Sequence, residues 1–259
     1  MKGLSQVLVP AERAPASEAG TGLVNLSTKA ARDPLIEVDR AASRVRRLAR
    51  RVDHCARELH FSASSDRRIR YRPVFVTLTY RAGEEWAADH IRSFSRLARD
   101  WFRHRGCRLR MVWVAELQQR GAVHYHAVLW VPSRLRLPCP DASGWWSHGM
   151  SNLQTARSPI GYLCKYASKG VGEGLRFPRN CRTHGACGLE PAARKVVRWW
   201  CAPGWVRDSL HDLGAFGADV RKVAGGWADR VSGLFVASPW RLYLPGNGRV
   251  FFYKVEVAK

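Results

Sequence analysis

The chain has 259 residues, with 43 Lys and Arg against 21 Asp and Glu, a formal net charge of +22 at neutral pH. That excess points to a polyanionic partner, while 46% hydrophobic residues and 11 Trp exclude a wholly disordered basic tail. No apolar run approaches the ~20 residues needed to span a bilayer and Met1 to Pro10 makes a poor signal peptide, so a cytoplasmic location without a membrane partner is expected.

The first 38 residues, rich in Ala, Ser, Gly and Pro, read as an arm without regular structure. Residues 39–70 read as a basic helical segment. From Asp39 to Leu59, Arg44, Arg46, Arg47, Arg50 and Arg51 crowd around Val45, Leu48 and Val52. So many arginines with so few acids repel one another unless a phosphate backbone balances them, which makes the cluster a candidate nucleic-acid contact.

A domain is expected over residues 71–190. Pro73 to Tyr80 has the β-branched and aromatic character of a strand. Glu84 to Arg105 has helical spacing through Trp86, Ile91, Phe94, Leu97 and Trp101. Leu109 to Leu117 and Ala122 to Val131 read as two strands around Gln118-Gln119-Arg120-Gly121. Pro132 to Pro159 lacks periodicity and reads as a long functional loop. Ile160 to Lys169 reads as a helix. Residues 191–259 form an appendage with a helix from Pro191 to Trp200, Trp199, Trp200, Trp205 and Trp227 as packing residues, and a hairpin joined at Asn247-Gly248. The element order predicts an α+β fold of the ferredoxin-like or RRM-like split βαβ type, an antiparallel sheet with helices on one face.

Two patterns carry chemistry. In His124-Tyr125-His126, strand alternation puts both imidazoles on one face about 7 Å apart, close enough to share an ion. Glu116, across the tight connection, could complete a three-ligand site. The bland reading is two unrelated histidines on a sheet face and a carboxylate paired with an arginine. The second pattern is Tyr162-Leu-Cys-Lys165-Tyr166-Ala-Ser-Lys169. Four-residue spacing stacks Tyr162 with Tyr166, and Lys165 with Lys169 beside them. A phenol, with pKa ~10, is a poor nucleophile at neutral pH unless cations or a metal act on its electrophile. Alone, the helix reads equally as core tyrosines and solvated lysines.

Together with the Phe75 to Tyr80 strand, these motifs occur in an order and spacing that resembles the HUH endonucleases. The resemblance spans roughly Tyr71 to Gly170 and is closest to two-tyrosine rolling-circle replication initiators of single-stranded DNA phages. It implies that His124 and His126, with Glu116 by position, hold a divalent ion, Mg²⁺ or Mn²⁺. Tyr162 would attack the scissile phosphate, leaving a 5′-phosphotyrosine and a 3′-OH. Tyr166 would perform the second transfer, and Lys165 and Lys169 would offset phosphate charge. The implied partners are origin DNA in single-stranded form and a host DNA polymerase. No Gly-rich Lys-Ser/Thr loop is present, so a host helicase would unwind.

Relaxases and single-strand transposases use the same parts. Relaxases place the tyrosine before the histidines, and transposases of this kind are shorter with one tyrosine. A non-catalytic RRM-like binder would need aromatics on an open central sheet face, and Tyr125 alternates away from the histidine face. Trp145 and Trp146, near His148, could stack on unpaired bases at about 1–3 kcal/mol each or pack beneath their loop. Cys181, His184 and Cys187 lack a fourth zinc ligand at standard spacing, which favours a reduced basic loop. The odd total of seven cysteines, irregularly spaced, likewise reads as free thiols.

Overall fold

The near-continuous apolar run in the strand that carries the histidines implies burial on both of its faces, and the fold is built around it. The structure is a computed structural model and describes residues 35–169 and 175–255. Residues 1–34 of the expected arm lie outside the described residues. Ile36–Glu37, inside the span assigned to the arm, form a short strand, β1. Helix α1 follows over Arg40–Ser64, started by Asp39, whose carboxylate accepts Ala42 N–H at 2.9 Å. It extends past the expected end at Leu59 because its buried stripe, Val52, Cys55, Ala56 and Leu59, continues to Ala63.

Next come β2 (Tyr71–Tyr80), α2 (His90–Arg103), β3 (Met111–Leu117), β4 (Val123–Pro132), β5 (Gly149–Thr155), α3 (Pro159–Ser168) and β6 (His184–Cys187). The strands form one antiparallel sheet in the order β5-β2-β4-β3-β6. The expected α+β class and antiparallel sheet are therefore present. The order β5-β2-β4-β3 is that of a split βαβ unit, with α2 as the first crossover.

Helix placement differs from expectation. The second crossover, residues 133–148, contains no helix. It lies on the α2 side, where Leu137 and Trp146 join Ile91, Phe94, Ala98 and Phe102 over Tyr125, Ala127 and Leu129. Helix α3 comes after β5 and packs with α1 on the opposite face, over Phe75, Val112, Val114, Val128 and Trp130. Helices thus cover both faces rather than one. Fully burying each large side chain contributes about 1.5–3 kcal/mol, and β4 supplies such residues to both layers. One directional contact fixes α1: Trp130 Nε1–H donates to His60 Nδ1 at 3.1 Å. Strand β5 was hidden in the expected loop because it is an edge strand, with Met150, Asn152 and Gln154 exposed and only Ser151 and Leu153 half-buried.

The C-terminal region holds α4 (Pro191–Cys201), α5 (Gly204–Asp212), a meander of β7 (Val220–Val223), β8 (Gly226–Asp229) and β9 (Phe235–Ala237), and the expected hairpin, β10 (Trp240–Tyr243) with β11 (Phe251–Lys254), which β1 extends. Trp199 is buried with Val206, Leu210 and Val220, and Trp205 and Trp227 pack against them. Val197, on the same helix as Trp199, enters the α1 layer.

The tryptophan pair assigned to base stacking has a packing role. Trp146 is fully buried, and its Nε1–H donates to Thr79 O at 3.1 Å. Trp145 is half-buried, edge-on to Phe94 and Trp101. An indole in the core cannot offer a face to a base. Trp146→Ala should cost about 3–5 kcal/mol through the cavity it leaves, read as a lower denaturant midpoint with an unchanged m-value.

Candidate active site

The β3–β4 hairpin sets the site. Gly121, at φ +79°, takes the left-handed conformation that closes the turn between Leu117 and Val123. The register then places Glu116 directly opposite His124, and Val114 opposite His126. Glu116, His124 and His126 therefore share one sheet face, with imidazole centroids 6.2 Å apart. His126 Nε2–H donates to Glu116 Oε2 at 2.6 Å, and Lys169 Nζ donates to Glu116 Oε1 at 2.5 Å. Burial alone would favour a protonated Glu116, but the bonds from Lys169 and His126 outweigh it and hold the carboxyl below its usual range. Burial, helped by the neighbouring His126, pushes His124 down to about 4. His126 is also lowered by burial, against the pull of Glu116. Both rings are thus neutral at pH 7, the form in which imidazole ligates.

Helix α3 brings the tyrosines to this face. Pro159 fits its first turn, and Leu163 and Ala167 bury one stripe of it. The adjacent stripe carries Tyr162 and Tyr166. The Tyr166 ring stacks on His126 with centroids 3.6 Å apart and an interplanar angle of 18°. Its O–H donates to Tyr162 Oη at 3.4 Å. Burial, then the contact with Tyr162, raises the Tyr166 phenol above its ordinary range. Lys165 and Lys169 lie with their Nζ 5.9 and 5.4 Å from the Tyr166 ring centroid. The structure thus brings Glu116, His126, Tyr162, Tyr166 and Lys169 together, with His124 beside them and Lys165 at the rim.

Phe75 also belongs here, although it read only as scaffold. Its ring is 3.8 Å from Tyr162, 5.7 Å from His126 and 6.1 Å from Tyr166, and it is buried. Its place was readable in principle, since Thr77 pairs with His126 and Phe75 follows on the same face.

The donor set fits a divalent ion in chemistry. His124 Nε2 is buried and has no hydrogen-bond partner among the described residues, a cost that an ion would remove. Both Glu116 oxygens are engaged, so ligation by this carboxylate requires Lys169 or His126 to yield. Among the described residues no group of three or more His, Cys, Asp or Glu side chains is arranged as a metal cluster.

Of the other singled-out residues, Arg44, Arg46, Arg47 and Arg50 are exposed or half-buried on the first half of α1, and Arg51 is half-buried. Trp145 and Trp146 lie in the opposite layer. His184 shares the face of its partner Val114, whereas Cys187 pairs with Met111 and turns to the α2 side. Those two cannot share an ion, and all seven cysteines are free. His148 pairs with Glu84 and stacks on His90, centroids 3.5 Å apart.

Residues 73–171 match a family model of replication-associated proteins of the ORF2 type. The match takes in nearly all of β2, the histidine strand and the tyrosine helix, and leaves α1 and everything from β6 onward outside it. It supports a replication-associated, DNA-directed role. No curated protein and no solved structure matches the chain.

The neutral histidine has a measurable signature. With chelator present, the His124 ring signals should titrate near pH 4, far below the 6.5 of an unfolded histidine. Between those values the unfolded chain binds more protons than the folded one, so His124 withdraws stability as the pH falls from 6.5 toward 4. His124→Gln should lessen the loss of denaturant midpoint across that window.

Proposed function

We propose that the protein is a metal-dependent, site-specific endonuclease and strand transferase for single-stranded DNA that starts rolling-circle replication through a tyrosine nucleophile. The observation that carries the reading is the pair of phenols packed onto an imidazole that is itself bonded to a carboxylate: Tyr166 on His126, Tyr162 within reach of Tyr166, and Glu116 behind them.

Tyr162 attacks the phosphorus in line and gives up its phenol proton as the O–P bond forms. The P–O3′ bond breaks, the departing oxygen takes up a proton as the 3′-OH, and the 5′-phosphate stays on the tyrosine. Tyr166 serves the second transfer, which frees the first tyrosine and closes a strand. His124, His126 and Glu116 would hold Mg²⁺ or Mn²⁺, which when bound withdraws electron density from the phosphate. Lys169 and Lys165 keep positive charge beside the tyrosines, where phosphate charge builds in the transition state. The free 3′-OH would prime a host polymerase, with a host helicase unwinding ahead of it.

A relaxase or single-strand transposase would use the same residues. The order of histidines before a tyrosine pair, together with the replication-associated match, favours initiation. A binder of RRM type fits poorly because the relevant sheet face lies under α1 and α3, and Phe75 is only 3% exposed.

Incubation with single-stranded origin oligonucleotides and Mn²⁺ should give a protein–DNA adduct on a denaturing gel, abolished by chelator. Tyr162→Phe should reduce the adduct at least 10³-fold, an expectation scaled to the loss of a nucleophile, while Tyr166→Phe should spare the first cut and block release of circles. Cleavage by the double Tyr→Phe variant would overturn the reading.

A further inference from the structure

The first half of α1 does not lie flush against the sheet. Between it and the edge of β3 runs a groove of about 1430 Å³, lined on one side by α1 from Ala41 to Arg51 and on the other by Ala115, Glu116, Leu117 and Thr183, with Lys169 and Phe177 also in its wall. We propose that this groove is a channel for one DNA strand, and that α1 positions the strand next to the cut rather than adding diffuse affinity.

Three observations carry it. The first is charge. Arg44, Arg47 and Arg51 all line the groove, and among the described residues none of them pairs with an acidic side chain, whereas Arg57, further along α1, is held by Asp53 at 2.8 Å. Unpaired guanidiniums on consecutive turns suit successive phosphates, since each presents a planar fork that a phosphate can accept in two places. The second is the apolar part of the lining, Val45, Leu48, Leu117 and Phe177. Unpaired bases need such a surface, and a duplex, which presents only its phosphates outside the grooves, does not. The third is continuity. The groove contains Glu116 and Lys169, the same two side chains that close the tyrosine site. A strand held by α1 therefore ends at the tyrosine site. Both α1 and Thr183 lie outside the residues that match the replication-associated family, so this wall is a feature of the present chain.

The proposal rests on the nuclease reading only for what happens at the groove's end, so binding and cleavage are measured separately. The binding probe is a fluorescent 30-nucleotide single strand of randomised sequence, with a 30-base-pair duplex as comparison. In the intact chain, Arg44→Gln/Arg47→Gln/Arg51→Gln should weaken single-strand binding at least tenfold and reduce the salt slope by about two, at about 0.7 for each phosphate no longer neutralised. Arg221→Gln/Lys222→Gln, on exposed β7, should stay within twofold of wild type. The triple Arg→Lys variant should recover the salt slope, which separates missing charge from misfolding. A photocrosslinker at position 47 should mark the single strand and not the duplex. Unchanged affinity and slope in the Gln variant, or crosslinks confined to duplex, would overturn the channel. Groove-dependent binding by a wild-type protein that forms no adduct under any metal would support the channel and count against the nuclease reading.

Discussion

The pairing register of β3 with β4 is the constraint on which the rest of the site depends. A slip of one residue would send Glu116 or the histidines to the opposite face, among the packed residues beneath α2. Register is strongly specified here because both faces are buried. Tyr125, Ala127 and Leu129 must meet the α2 layer while Val128 and Trp130 meet the α1 layer, and a one-residue slip satisfies neither. The polar site is thus held in place by apolar packing on either side of the histidines.

That packing also explains the electrostatics. Glu116 is largely screened from water, and an ionised carboxylate there needs donors. Lys169 and His126 supply them. The same burial keeps His124 and His126 uncharged, so one low-dielectric pocket holds an anion, a cation and two neutral bases within a few ångströms. Removing either donor would leave the other to hold the carboxylate alone, a far more costly arrangement than the original.

Much of this was legible in the sequence. Strand alternation placed His124 with His126 and turned Tyr125 away, and helical spacing paired Tyr162 with Tyr166. What was not legible came from tertiary packing. Strand β5 has polar residues on its exposed face and gives no alternation strong enough to mark it. Trp146 sits in an irregular crossover, where no period distinguishes a core indole from an exposed one. The helix on the second face could not be assigned because a crossover without a helix and one with a helix leave similar traces in residue type. Phe75 needed a cross-strand partner before its position meant anything. The arginines of α1 read correctly as basic, but only the fold shows what they face.

Two phenols that share one hydrogen bond cannot ionise independently. Once Tyr162 loses its proton, Tyr166 is obliged to donate to it, and a second ionisation would set two anions side by side in a half-buried site. The pair therefore holds at most one phenolate at a time. In a reaction that must pass a strand from one tyrosine to the other, such exclusivity gives the two side chains turns without any moving part.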